Sequence, residues 1–118
     1  MADDAKLLAK IVDSTDAMIY LKDEEGRFLF VNRRAAEQLK ASPEEIVGKF
    51  DRDFIPPAEA ERFREQDKKV SETGEPVNYR TSVTLADGVV TVVDHKFPVA
   101  VKGHEHAVGG IAFELKEK

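Results

Sequence analysis

Cysteine is absent from this 118-residue chain, so thiolate nucleophiles, disulfides, Cys-ligated zinc and a cysteinyl chromophore are all excluded. The reactive candidates reduce to three histidines and their acidic neighbours. His104-Glu105-His106 has the His-x-His spacing that can bind zinc or nickel, but three donors from one loop do not close a metal site, and a solvated loop is the simpler reading. His95 lies in Val93-Asp94-His95-Lys96-Phe97. Alternation groups it with Val93 and Phe97, on the expected inner face of a sheet. Three roles stay open for it: a packed core or edge histidine, a hydrogen-bonding group in a pocket, or a haem or metal ligand. Asp94 and His95 are strand neighbours and point to opposite faces. Asp51 and Asp53 have no nucleophile or metal framework near them in sequence. A pair of Asp67 with His95 is the one acid–base arrangement left. No phosphate-binding loop, zinc motif or Gly-x-Ser-x-Gly is present, so no catalysis and no metal site are expected.

The elements that must position these groups follow from patterning. Asp3 to Val12 reads as a short amphipathic helix with Leu7, Leu8, Ile11 and Val12 in one stripe. About ten residues are marginal as an isolated helix, so this one must dock, and the stripe is a candidate dimer contact. Ala17–Lys22 and Arg27–Val31 read as strands joined by Asp23-Glu24-Glu25-Gly26, with the glycine supplying positive φ. Asn32 is a helix cap for 33–40. Ser42-Pro43-Glu44-Glu45 is a complete helix start, and Gly48 closes that turn. Lys49–Pro57 is irregular. Pro57 opens a long polar helix that Gly74 ends, with Ala60, Phe63 and Val70 on its narrow apolar face and Gln66 and Asp67 between the last two. Val77–Leu85 and Val89–Val99 form a hairpin over Ala86-Asp87-Gly88. Lys102–Ala107 is expected as a loop and Val108–Leu115 as a last strand.

This order predicts an α+β fold: a five-stranded antiparallel sheet with helices across one face, plus the short N-terminal helix. Residues 1–13 make that helix and 14–118 the main domain. With 42% hydrophobic and 35% charged residues the chain is globular rather than disordered. A formal net charge of −5 disfavours nucleic acid and anionic membrane. No apolar run approaches the roughly 18 residues of a membrane span, and no signal-peptide pattern follows Met1, so a cytoplasmic setting is expected. The Lys-Glu-Lys ending fits either a whole small protein or one module of a longer one.

Several stretches, in this order and spacing, resemble the PAS (Per-Arnt-Sim) sensor family from about Asp13 to Leu115: Ile19–Leu21, Asp23–Gly26, Phe28–Asn32, Ser42–Lys49, Phe97-Pro98-Val99 and Gly109–Ala112. The chain departs from the family at Glu114-Leu115-Lys116, where many members carry Asp-Ile-Thr, and this bears on output coupling. The resemblance implies a sensory domain that binds a small molecule or a partner and relays a conformational change to a histidine kinase, a cyclic-dinucleotide enzyme or a transcription factor. A homodimer is expected, and on the charge argument neither nucleic acid nor membrane is an expected partner. The alternative is a ligand-free dimerisation or docking module. The candidate pocket is Phe28, Phe54, Phe63, Gln66, Asp67, Tyr79, His95 and Phe97, within a wider wall that includes Ile19, Leu21, Phe30, Val93, Ile111 and Phe113. Asp23, Gly26, Asn32 and Ser42 are expected as turn and cap residues. Haem is disfavoured because relatives that bind it take their ligand from the long helix, which has no histidine here. Flavin is disfavoured for want of cysteine, tryptophan or a distinctive motif. A small metabolite, or nothing, is the expected occupant.

Overall fold

The computed structural model describes residues 2–115, so Lys116 of the expected exit sequence lies outside the described residues. In chain order the elements are α1 (Ala2–Ser14), β1 (Met18–Lys22), β2 (Phe28–Val31), α2 (Arg33–Leu39), α3 (Pro43–Ile46), a 3-10 turn (Asp51–Asp53), α4 (Pro57–Thr73), β3 (Val77–Leu85), β4 (Gly88–Val101) and β5 (His104–Glu114). The strands form one antiparallel sheet in the order β2-β1-β5-β4-β3, the expected α+β architecture. Among the described residues no helix is long and apolar enough to cross a membrane.

Local chemistry explains the joints. Asp23 Oδ1 accepts from the backbone N–H groups of Glu25 and Arg27, closing the β1–β2 turn in which Gly26 sits at φ +95°. The Ser42 side chain accepts from Glu45 N–H while Glu45 reaches back to Ser42 N–H, the reciprocal cap expected for α3. Asn32 is almost completely buried and uses both ends of its amide. Its Oδ1 accepts from Ile19 and Ala35 N–H, and its Nδ2 donates to the Val12 and Ala17 carbonyls. One side chain thus caps α2 and ties the end of α1 to β1.

Two expectations are corrected. Lys102–Ala107 is not a loop: β4 runs to Val101 and β5 begins at His104, across a two-residue turn. Glu24 supports this polar strand start by accepting from His106 N–H and pairing with His104 Nδ1 at 3.0 Å. The second correction is one of register. β4 sends Val92, Asp94 and Lys96 inward, so Val93, His95 and Phe97 lie on the outer face. Pairing carries Ile19, Leu21, Phe30, Ile111 and Phe113 to that outer face as well.

The inner face holds the core. Ile55, Ala60 and Phe63 pack against Val83, Leu85, Val92 and Ala112, and a second cluster joins Phe28 and Val31 to Ala35, Ala36 and Ile46.

Candidate functional site

The centre of the inner face is charged. Lys22 from β1 and Lys96 from β4 are 3% and 1% exposed, and both reach Asp67 of α4. Lys22 Nζ lies 2.6 Å from Asp51 Oδ2 and 2.9 Å from Asp67 Oδ2. Lys96 Nζ lies 2.6 Å from Asp67 Oδ1 and 3.5 Å from Asp94 Oδ2. The Tyr20 hydroxyl donates to Asp94 at 2.9 Å from its Oδ2, across 74 residues of sequence. Both ammonium groups also sit over aromatic rings, Lys22 over Tyr20 and Phe28, and Lys96 over Tyr20 and Phe63.

Burial of isolated charges would neutralise them, and here their partners prevent it. Burial pushes the Lys22 and Lys96 ammonium groups down, but Asp51 and Asp67 outweigh it for Lys22, and Asp67 and Asp94 for Lys96, so both are held above their ordinary value. Burial pushes Asp67 up, yet the two lysines hold it below the usual carboxylate value. Tyr20 is raised well above its ordinary value, first by burial and then by the Asp94 charge, so its proton stays on the hydroxyl.

Tyr20 can cross β5 because residue 110 is glycine. A Cβ there would lie 2.0 Å from Tyr20 Cζ. Gly109 does the same on the other face, where a Cβ would meet Phe97 Cε1 at 2.7 Å. The Gly-Gly pair gives each face of β5 room for one aromatic ring.

Beneath the charged cluster is a cavity of about 90 Å³ between sheet and helices. Its polar lining is Tyr20, Lys22, Asp51, Asp94 and Lys96; its apolar lining includes Met18, Phe28, Leu39, Ile55, Phe63, Val92 and Ala112. Asp51 and Asp67 also border a cleft of about 230 Å³ that contains Phe50, Arg52 and Arg64.

Of the expected pocket residues, Phe28 and Phe63 line the cavity. Phe54 stands behind Phe28 in an edge-to-face contact, and Asp67 anchors both lysines from α4. Tyr79 is half-buried on the inner face, paired with Asp94 across the β3–β4 ladder, outside the cavity lining. Gln66 is half-buried, and its Oε1 has no hydrogen-bond partner among the described residues. His95 and Phe97 are corrections: His95 is exposed and contacts Asn78 Oδ1 through Nδ1 at 2.6 Å, and Phe97 packs beside it on the outer face. The Asp67–His95 acid–base pair therefore does not form, since the sheet separates the two. Among the described residues no group of His, Asp and Glu is arranged to hold a metal ion.

Sequence reasoning missed Tyr20, Lys22, Asp94 and Lys96. Apolar-in patterning favoured Val93 and Phe97, whereas the charged pair goes inside because partners from β1 and α4 satisfy it. A signal was available in the hairpin. Pairing Leu85 with Gly88 across the turn sets Val83 opposite Val90 and Tyr79 opposite Asp94, which puts Asp94 on the face of Val83 and Leu85.

Residues 12–118 match the family model described as PAS fold. The protein y4lL of Sinorhizobium fredii is 35% identical over 80 residues, 68% of this chain; the chain spans only 10% of that relative. The Vibrio cholerae VqmA dimer, a LuxR-type receptor, superposes with a TM-score of 0.83 at 21% identity, over 95% of this chain and 51% of that one. Another structure of the same protein holds a ligand and DNA. The PAS domain of Bordetella pertussis BvgS superposes with a TM-score of 0.76 at 23% identity, over 98% and 89% of the two chains. VqmA is crystallised with DNA, so the expectation that nucleic acid is no partner finds no support in these comparisons. By sequence and by architecture, the chain belongs to the PAS fold family.

Proposed function

We propose that this domain is a sensory module that holds a small molecule in the cavity between sheet and helices. It has no catalysis of its own, acts in the cytoplasm, and relays a change of conformation to an effector: a histidine kinase, a cyclic-dinucleotide enzyme or a transcription factor. The observation that carries this reading is the apolar cavity capped by Tyr20, Lys22, Asp51, Asp94 and Lys96. The cap is drawn from β1, β4 and the 3-10 turn, so an occupant contacting it bears on all three at once. Output follows only where the ligand favours one arrangement of sheet and helix. Asn32 supplies a route, because the same amide holds β1 and the end of α1. Leu7, Leu8 and Ile11 of α1 are each about 60% exposed, and with Val12 they form the proposed homodimer contact.

The experiment is a native mass spectrum of the freshly purified protein beside a denatured one. Extra mass that leaves on denaturation supports the reading. The small cavity favours a second reading, a ligand-free dimerisation module, and a bare mass would select it.

A further inference from the structure

The cavity's hydrogen-bonding groups and its charge point to different ligand properties, and together they narrow the class. An ammonium has three N–H donors. Lys22 commits two, to Asp51 and Asp67. Lys96 commits one, to Asp67, and only approaches Asp94 at 3.5 Å. Donors are therefore left over at the polar end, which asks for an acceptor atom. The cluster nevertheless holds two ammonium and three carboxylate groups, one formal negative charge in all. A carboxylate or phosphate entering it would face that excess in a low-dielectric interior, where like charges interact strongly. A protonated amine would suit the charge but brings only N–H donors, so the N–H groups left over on Lys22 and Lys96 would stay without an acceptor. Size is a further limit. On the scale by which a cavity of about 150 Å³ takes benzene, 90 Å³ takes about four non-hydrogen atoms.

We propose that the cavity takes a compact, neutral molecule with a carbonyl acceptor directed at Lys22 and Lys96 and an apolar remainder packed against Phe28, Phe63 and Val92. This rests on the reading of the cavity as a ligand site and adds the chemistry of the ligand. The acceptor takes the N–H groups that the aspartates leave, and the neutral charge leaves the ion pairs undisturbed.

Three probes of similar size separate the possibilities: acetamide, acetate and ethylammonium, each titrated into ¹⁵N-labelled protein at constant ionic strength and pH 7. Acetamide is expected to shift the amide resonances of Tyr20, Lys22, Asp94 and Lys96 saturably, at least tenfold more tightly than either ion. Nuclear Overhauser contacts from its methyl group to the Met18, Val92 and Ala112 methyls place it without any variant. Ala112→Leu, which fills the cavity, should abolish the shifts. Acetate or ethylammonium binding as well as acetamide would overturn the ligand class while leaving the ligand site standing. Silence from all three probes beside a retained small molecule in the native mass spectrum would also overturn the class alone. Silence from all three with a bare mass would overturn both.

Discussion

The two faces of the sheet use one set of strands for opposite purposes. The inner face buries Lys22, Lys96 and Asp94 among core residues, each charge answered by a partner from another element. The outer face carries Phe30 and Phe113 at 40% and 56% exposure, beside half-buried Val93, Phe97 and Ile111. A soluble surface ordinarily puts its polar groups outside and its aromatics inside. The inversion teaches that burial here follows available partners rather than hydrophobicity. It also ranks two kinds of change: inner-face substitutions should cost more stability than outer-face ones.

The largest test removes the shared carboxylate. Asp67→Ala leaves both lysines buried with one partner fewer. Breaking a buried pair in this way costs about 3–5 kcal/mol, and the remaining Asp51 and Asp94 place this case toward the lower end. Urea unfolding measures it, and a loss below 1 kcal/mol, the scale of an exposed pair, would show that the cluster is not structural.

The same interactions can be weakened by pH. Asp67 is held below its ordinary 3.8, so its contribution is complete above that pH and is lost as the pH falls through its lower folded value. Lys22 and Lys96 are held above their ordinary 10.5, so theirs is complete below that pH and is lost as the pH rises through their higher folded values. These three groups should therefore add no slope to stability between pH 3.8 and 10.5. Urea midpoints of the wild type and Asp67→Ala at stepped pH check this: their difference should be flat in that window and shrink below it. A difference that changes across neutrality would refute the assignment.

The neighbouring glycines compare the faces directly. Gly110→Ala forces Tyr20 off Asp94 and should cost about 1–3 kcal/mol, the usual range for overpacking a core. Gly109→Ala should cost less, because Phe97 is half-exposed and can move outward. Thermal melts of the two variants give the order, and equal losses would mean that the outer face is as tightly packed as the inner.

The smallest effect on stability, within about 0.5 kcal/mol, is expected for Leu8→Glu with Ile11→Glu. Association should change instead: light scattering should report monomers, and an unchanged dimer would remove α1 from the contact.

Much of the fold was legible because its signals are local. Asp23 and Gly26 close a turn within four residues, Ser42 and Glu45 cap each other three residues apart, and Gly74 ends α4 in the left-handed conformation its type permits. The site was less legible because its members are far apart in the chain. Tyr20 meets Asp94, and Lys22 meets Asp67, across 74 and 45 residues. Composition marks such residues as surface charges.

The sequence by itself determined the elements, their order and the family, since turns, caps and alternation are short-range properties of the chain. Hairpin register marks the inward face of β4, but only the tertiary structure supplied the partners that let its charges be buried. Both parities of that strand carry apolar residues, so alternation alone leaves the choice open. Asp67 brought over by α4, and Tyr20 laid across Gly110, make it favourable to bury Asp94 and Lys96 and to leave His95 in solvent.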